Sequence, residues 1–339
     1  MVKAEQHKPI AILGAGSWGT ALALYLARRH QPVKIWSIET AEITAMLKDK
    51  VNQRYMPGFA LPDEIHPMTD LAATVQDVSD ILMVVPSSGF RQTLISLKAC
   101  GLHQPRIICA TKGLDMETGQ LLNQVTQEIF GKTCPFAVLS GPSFAREVAA
   151  GLPTAVVIAS HDAAFLKEVV KRFQSEIFSI SPSQDVMGVE IGGVAKNVIA
   201  IATGISDGME FGTNARSALI TYGLAEIIQL GTALGGQLTT FMGLSGLGDL
   251  ILTATDDQSR NRRLGLSLGK GRNIQEAERE IGQVIEGKRN AELMVMLAKQ
   301  HQVHLPVCEM VWEILQGKVS AKEGIKQLLC APLVVHQLV

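Results

Sequence analysis

The stretch IAILGAGSWGTALALYLARR, from Ile10 to Arg29, decides the fold of this chain. A short apolar run stops at three glycines, Gly14, Gly16 and Gly19, and small and apolar residues then recur at helical spacing. In the predicted strand, turn and helix, the first glycine permits the turn, the second lets a pyrophosphate approach the backbone, and the third lets the helix pack on the strand. A second strand, VKIWSIE, ends at Glu39. The stretch therefore predicts a dinucleotide-binding unit rather than a signal peptide or membrane span.

Further strands alternate with helices as far as residue 185. The runs ILMVV, RIICA and FAVLS each lead into turns, and two more strands are predicted at Thr154 to Ala159 and Ile177 to Ser181. Uninterrupted apolar runs are typical of parallel strands covered on both faces. The predicted fold class is therefore α/β, with a Rossmann-like doubly wound sheet in residues 1–185 and an all-α domain in residues 186–339. Ligands bind beyond the carboxyl ends of such strands, where Lys112 and Ser143 stand, although Ser143 is also a candidate helix cap.

The helix GVEIGGVAKNVIAIATGISDG is apolar on nearly every side yet contains Lys196. Since a buried ammonium must be paired or must lose its charge, we expect Lys196 to have a partner or a pKa lowered towards neutrality, as suits an acid/base catalyst. Gly192 and Gly193 leave space on the same helical face, either for a small substrate or for a neighbouring helix while Lys196 extends to the surface. Asp249, in GLGDLILTAT, is either a helix cap or the partner of the ammonium.

The composition excludes several classes of protein. Hydrophobic residues make up 47% of the 339 residues, and a formal net charge of -1 gives no electrostatic footprint for nucleic acid. The five cysteines have no CxxC spacing, and no His/Cys cluster has metal-ligand spacing. We expect a cytoplasmic protein with reduced thiols, no metal, no nucleic-acid partner and no integral membrane segment.

Seven motifs in fixed order resemble those of the soluble, bacterial-type NAD(P)-dependent glycerol-3-phosphate dehydrogenases. They are GAGSWGTALA, NQRYMPG, TKGL, LSGPSFAREVA, GGVAKNVIAIATGISDG, GLSGLGDLILT and SRNR, and they span almost the whole chain. The resemblance implies interconversion of sn-glycerol 3-phosphate and dihydroxyacetone phosphate, a small phosphorylated three-carbon substrate, with NAD or NADP as cofactor. It also implies a homodimer and a supply of glycerol 3-phosphate for phospholipid synthesis.

The resemblance further implies roles for individual residues. Lys196 is the implied acid/base, with Lys112, Asp249 and Asn197 as its catalytic companions. The implied substrate-binding residues are Lys112, Gly141, Ser143, Lys196, Asp249, Ser259, Arg260 and Asn261. The implied cofactor contacts are Gly14, Gly16, Ser17, Trp18, Gly19, Ile38, Lys112, Ala145, Arg260, Val284 and Glu286. Arg262 and Arg263, which follow Arg260, are predicted to lie on a solvated helix face.

One position departs from the family pattern. Many bacterial members have a basic residue for the NADP 2′-phosphate where Ile38 stands. Glu39 beside it can accept a hydrogen bond from a free ribose hydroxyl and would repel a phosphate. We therefore predict that NADH is used at least as well as NADPH.

Two alternatives differ from this interpretation. A 3-hydroxyacyl-CoA or 6-phosphogluconate type dehydrogenase also joins a Rossmann domain to helices, but the SRN and TKGL motifs argue against it. A non-enzymatic NAD-sensing protein has no need of a buried lysine beside two glycines.

Overall fold

The structure, a computed structural model, describes residues 8–330. Its first part alternates strands with helices. The strands are β1 Ile10–Leu13, β2 Val33–Trp36, β3 Ile65–Met68, β4 Asp80–Met83, β5 Ile107–Cys109, β6 Phe136–Ser140, β7 Thr154–Ala159 and β8 Phe178–Ser183. The helices are α1 Ser17–Ala27, α2 Thr40–Asp49, α3 Leu71–Val75, α4 Ser87–Ala99, α5 Leu122–Phe130, α6 Ala145–Ala150 and α7 Ala163–Phe173.

The strands form one sheet in the order β3-β2-β1-β4-β5-β6-β7-β8. β1 pairs in parallel with both β2 and β4, and Ile10 lies opposite Val33 on one side and Asp80 on the other. The strand order therefore reverses between β1 and β4, which is where ligands bind in doubly wound sheets. The predicted Rossmann-like fold is confirmed. Edge strand β3 was not predicted, because its Pro67 interrupts the apolar pattern; a proline is tolerated at a sheet edge.

Residues 186–330 are helical, as predicted. Their α-helices are α8 Val186–Gly208, α9 Gly212–Ala233, α10 Leu238–Phe241, α11 Asp249–Thr255, α12 Arg260–Gly269, α13 Ile274–Ile281, α14 Glu286–Gln300, α15 Pro306–Leu315 and α16 Ala321–Cys330. The glycine-rich segment Leu244–Gly248 forms a π-helical turn before α11.

Contacts divide the chain into two compact units. Within the described residues, the first contains residues 8–111, Leu122–Leu139 and Ser143–Gln184. The second contains Lys112–Leu121, Ser140–Pro142 and residues 185–330. The short segments that carry Lys112 and Gly141 thus belong with the helical unit, and the domain boundary at residue 185 stays a prediction of the sequence.

Helix α8 lies in the interior of the second unit, because it is apolar all round. It packs closely on α12: a Cβ added at Gly204 would overlap the backbone carbonyl of Arg262, and one at Gly265 would overlap that of Ile201. Among the described residues, two helical stretches, Val186–Gly208 and Leu238–Thr255, are long and apolar enough to cross a membrane by length and composition alone. The first is 94% buried inside the protein, as a core helix would be.

Candidate active site

The ammonium of Lys196 lies inside the second unit. Its Nζ donates a hydrogen bond to Oδ1 of Asp249, the first residue of α11. Only 6% of Lys196 and 1% of Asp249 is exposed. The prediction of a paired ammonium is confirmed, and the alternative in which Lys196 extends to the surface is wrong. Because the helix is apolar on nearly every side, the buried ammonium depends on the Asp249 carboxylate to compensate its charge.

A second cation completes the cluster. Nζ of Lys112 lies 2.8 Å from Oδ2 of Asp249 and 3.4 Å from the carbonyl oxygen of Gly141. Each carboxylate oxygen therefore accepts from a different ammonium. The hydroxyl of Thr253, one helical turn on, donates to the backbone carbonyl of Asp249 at 2.6 Å and lies 3.5 Å from its Oδ1.

The pKa values in this cluster follow from burial and from the two like charges. Burial lowers the pKa of Lys196 to about 7, although the attraction of Asp249 acts to raise it. Repulsion from Lys112 lowers this pKa further. Burial acts to raise the pKa of Asp249, but the two ammonium groups outweigh it and the net shift is downward. Asp249 thus stays ionised, while Lys196 can gain or lose a proton near neutral pH.

The two glycines that precede the buried lysine have different surroundings. A Cβ at Gly192 would overlap the backbone carbonyl of Ser245, so this glycine admits the π-helical turn. A Cβ at Gly193 would lie 3.1 Å from Oγ of Ser140 and 3.6 Å from Cγ of Lys112. Gly192 therefore serves close packing, as the neighbouring-helix interpretation predicts, and Gly193 faces the polar cluster.

Two buried hydroxyls near these glycines are not among the predicted site residues. Within residues 8–330, Oγ of Ser140 and Oγ of Ser245 are buried without a hydrogen-bond partner. Ser140 ends β6, and its place at the carboxyl end of a strand was an available signal. Ser245 lies in the glycine-rich π-helical turn, where no local pattern singles out one hydroxyl.

Asn197 connects α8 to two later helices. Its Oδ1 accepts a hydrogen bond from Nδ2 of Asn261 at 2.9 Å, and Oδ1 of Asn261 accepts from the backbone N–H of Gly287 at 2.9 Å. Both asparagines are buried. The amide of Asn261 therefore joins α8, α12 and α14, which leaves at most one of its N–H groups for a ligand.

Arg260 is the first residue of α12. Its Nη1 lies 3.4 Å from Oε1 of Gln283, in the loop before α14. Ser259 is the N-cap of α12, and its hydroxyl accepts a hydrogen bond from the backbone N–H of Arg262 at 3.2 Å. The SRN motif thus starts a helix, with one residue as its cap.

The prediction of a solvated face is right for Arg263, which is exposed, and wrong for Arg262. Arg262 is only 6% exposed. Its Nη1 lies 2.5 Å from Oδ2 of Asp207 and 3.2 Å from the carbonyl oxygen of Ala254, and its Nε lies 2.9 Å from Oδ1 of Asp257. Because α12 contacts α8 at its backbone, the arginine on that side is enclosed and needs these partners.

Glu286 and Val284 lie at the start of α14. Burial raises the pKa of Glu286, and the charges of Arg260, Lys112 and Lys196 lower it in part. The carboxylate therefore stands in the field of all three cations. Val284 is 57% exposed in the preceding loop.

The glycine loop of the first unit has the predicted geometry. Gly14 has a φ of 118°, which favours glycine, and a Cβ at Gly19 would overlap the carbonyl oxygen of Gly14. A Cβ at Gly16 would have no neighbour within 4 Å. Helix α1 begins at Ser17, and the N–H groups of its first turn have no acceptor within the helix. An open glycine backbone before a helix N-terminus fits a pyrophosphate.

The neighbouring predicted cofactor residues lie around this loop and at nearby helix starts. Nε1 of Trp18 is buried and has no partner in the described part of the chain, so a donor is left for a bound group. Ile38 is 82% exposed after β2. Ala145 begins α6, whose N-cap is Phe144, and the interpretation of Ser143 as the helix cap is therefore wrong.

In residues 8–330, no group of three or more His, Cys, Asp or Glu side chains is placed to hold a metal ion.

Two family models together match most of the chain. Residues 9–166 match the N-terminal part of NAD-dependent glycerol-3-phosphate dehydrogenase, and residues 185–326 match its C-terminal part. The chain is 49% identical to the NAD(P)+ glycerol-3-phosphate dehydrogenase of Alkalilimnicola ehrlichii over 326 residues, which cover 96% of this chain and 98% of the relative. It is also 49% identical to that of Shewanella sediminis over 321 residues, which cover 94% and 95%.

A solved structure has the same fold throughout. The crystal structure of glycerol-3-phosphate dehydrogenase from Coxiella burnetii superposes with a TM-score of 0.94 at 46% identity, and the match covers 96% of this chain and 99% of that one.

Proposed function

Because this chain belongs to the NAD-dependent glycerol-3-phosphate dehydrogenase family, we propose that it interconverts sn-glycerol 3-phosphate and dihydroxyacetone phosphate with Lys196 as the acid/base. The observation that supports this role is the buried contact of Lys196 with Asp249, whose other oxygen binds Lys112. Family membership also decides against the 3-hydroxyacyl-CoA, 6-phosphogluconate and NAD-sensing alternatives.

Reduction of a ketone needs a proton on oxygen when hydride reaches carbon, and the bound nicotinamide supplies that hydride. Lys196 in its ammonium form holds the proton and donates it to the carbonyl oxygen. Asp249 orients the ammonium and compensates its charge, while repulsion from Lys112 helps to keep the pKa of Lys196 low. In the oxidising direction, the neutral amine accepts the proton. A positioned group with a pKa near the working pH is suited to both directions, and contributes about 10² to 10⁴-fold.

The phosphate of the substrate is assigned to the start of α12. Arg260 supplies a planar guanidinium, which can bind two phosphate oxygens at once. Asn261 can add one N–H, and Ser259 one O–H, since its oxygen already caps the helix. Two further residues, Gly141 beside Lys112 and Ser143, are also assigned to the substrate. Asn197 is assigned to the support of Lys196.

The cofactor is NAD or NADP. We assign its pyrophosphate to Gly14, Gly16 and Gly19 and to the first turn of α1 with Ser17 and Trp18. The family resemblance supports further contacts, and these are assigned to Ile38, Lys112, Ala145, Arg260, Val284 and Glu286. The three cations around Glu286 support its place beside a charged ligand.

The wider role is proposed on the same basis. We propose a cytoplasmic homodimer that supplies glycerol 3-phosphate for phospholipid synthesis. An odd number of cysteines without CxxC spacing supports the cytoplasmic assignment.

A single assay tests the proposal. The purified chain is mixed with dihydroxyacetone phosphate and NADH or NADPH, and absorbance of the reduced nicotinamide is followed. Lys196→Met keeps the apolar stem and removes the proton, so kcat should fall by about 10² to 10⁴-fold while the dinucleotide still binds. Lys326→Met, at an exposed lysine of α16, is the matched control and should leave turnover unchanged.

The proposal has two distinct ways to fail. Absence of turnover in the unaltered chain would contradict the activity. Near-normal kcat in Lys196→Met would leave the activity in place and move the acid/base role, with Lys112 as the next candidate.

A further inference from the structure

The segment after β2 faces the part of the fold where a dinucleotide places its adenosine ribose. Ile38 in this segment is 82% exposed and offers no polar group. Glu39 follows, with 44% of its side chain exposed. A carboxylate here can accept a hydrogen bond from the 2′-hydroxyl of NAD(H), but taken alone it would repel the 2′-phosphate of NADP(H).

A later segment of the first unit brings a cation to this carboxylate. Nη1 of Arg54 lies 3.6 Å from Oε1 of Glu39 and also pairs with Oε1 of Glu42. The guanidinium carbon of Arg54 lies 5.1 Å from the centre of the Tyr55 ring, and the Tyr55 hydroxyl donates to Oε2 of Glu39 at 3.1 Å. With 56% of the Arg54 side chain exposed, its guanidinium is available to a ligand.

This segment is attached to the glycine loop by hydrogen bonds. The buried Nδ2 of Asn52 donates to the carbonyl of Ala15 at 2.7 Å, and the hydroxyl of Ser17 donates to the carbonyl of Tyr55 at 2.9 Å. Residues 52–55 are therefore held beside the loop that fits a pyrophosphate. The position of Arg54 beside Glu39 follows from these bonds as well as from its own ion pairs.

We propose that Arg54 binds the 2′-phosphate of NADP(H), and that the Glu39–Arg54 pair sets the ratio of affinities for NADP(H) and NAD(H). With NAD(H), the Glu39 carboxylate accepts a hydrogen bond from the ribose 2′-hydroxyl, and Arg54 remains the counter-ion of Glu39. With NADP(H), the Arg54 guanidinium leaves the Glu39 carboxylate and pairs with the 2′-phosphate. Its planar fork can donate two hydrogen bonds to that phosphate. The proposal rests on the dinucleotide site assigned above.

Binding measurements test the proposal without turnover. Dissociation constants are measured by calorimetry for NADPH, NADH, 2′,5′-ADP and 5′-AMP, with the unaltered chain and with Arg54→Gln. The variant should bind NADPH and 2′,5′-ADP at least about tenfold more weakly, because charge-assisted hydrogen bonds are lost. Its affinity for NADH and 5′-AMP should stay within about twofold. Lys48→Gln, an equal charge change at an exposed lysine of α2, is the matched control and should leave the affinities for all four ligands unchanged.

Two further variants separate charge from geometry. Arg54→Lys keeps the charge without the fork, and should weaken NADPH less than Arg54→Gln does. Glu39→Gln removes the negative charge that repels the phosphate and that accepts the hydrogen bond of the ribose hydroxyl. The variant should therefore raise the ratio of NADPH affinity to NADH affinity several-fold. Thermal melting establishes that each variant is folded, since Arg54 also pairs with Glu42.

An equal loss of NADPH and NADH affinity in Arg54→Gln would overturn the proposal, because it would mean that Arg54 only supports the loop. Unchanged affinity for both would overturn it as well, because the phosphate would then be held elsewhere. An unaltered chain that bound neither dinucleotide would instead contradict the dinucleotide site itself, and that failure is visible before any variant is compared.

Discussion

Removal of the charge of Lys112 should raise the pKa of Lys196. The two lysines bind opposite oxygens of the same Asp249 carboxylate, so their ammonium groups lie close together. At an effective dielectric constant of about 20, two unit charges about 4 to 5 Å apart repel by about 3 to 4 kcal/mol, which corresponds to about 2 to 3 pKa units. Lys112 is 16% exposed at its side chain, so water screens part of this repulsion. We expect a shift of about 1 to 2 units in Lys112→Gln.

The pH dependence of ketone reduction reports this pKa. Reduction needs the ammonium form of Lys196, so kcat/KM should fall as the pH rises through its pKa of about 7. In Lys112→Gln the falling limb should lie about 1 to 2 pH units higher, whatever the rate at its plateau. Oxidation of glycerol 3-phosphate needs the neutral amine, and its rising limb should move in the same direction.

Lys112→Arg is the matched control, since it keeps the positive charge. Its falling limb should stay where it is in the unaltered chain, even if a contact with the substrate is lost and the plateau drops. An unmoved limb in Lys112→Gln would refute the reasoning, because the titrating group would then not be Lys196. An equal shift in Lys112→Gln and Lys112→Arg would refute it too, because charge would not be the cause.

Three other outcomes are expected. Arg260→Ala and Arg260→Lys should each lower kcat/KM for dihydroxyacetone phosphate by about 10- to 100-fold but barely change activity on dihydroxyacetone. Arg263→Ala, at an exposed arginine, is the control. Equal losses on both substrates would contradict the assignment of the phosphate to Arg260. Burial raises the pKa of Glu226 to about 7, so the folded state binds the extra proton and the free energy of unfolding should fall by roughly 3 kcal/mol as the pH rises from about 4.5 to about 7. Denaturant titrations should show a flatter dependence in Glu226→Gln, and an unchanged slope would contradict the shift. Steady-state kinetics should show NADH used at least as well as NADPH, since Ile38 carries no charge and the Glu39 carboxylate competes with a 2′-phosphate for Arg54. A large NADPH advantage in kcat/KM would overturn that expectation.

The parts of the molecule that the sequence predicts are those in which a local pattern is enough. Apolar runs identify parallel strands, because a strand covered on both faces has no polar side. The glycine loop is predicted because each glycine meets a local backbone requirement. Lys196 is identified because an ammonium in an apolar helix needs compensation, and Asp249 is an acid at the start of another helix.

The parts that the sequence does not predict depend on which element packs against which. Arg262 and Arg263 are neighbours of the same type, and only the contact of α12 with α8 makes one buried and the other exposed. Arg54 belongs to a motif that resembles the family, yet its ion pair with Glu39 follows from hydrogen bonds that no spacing in the sequence reveals.

Two buried carboxylates in the helical unit show why burial alone does not mark a functional group. Asp249 contacts two ammonium groups, so its pKa is lowered in spite of burial. Glu226 accepts hydrogen bonds from the backbone N–H groups of Val307 and Cys308 at the start of α15, and these weaker partners do not offset its burial, so its pKa is raised. Backbone N–H groups at a helix start are fixed and cannot exchange protons with a substrate, whereas an ammonium can. The partner of the buried acid, rather than its burial, therefore distinguishes the catalytic cluster from a contact that joins two helices.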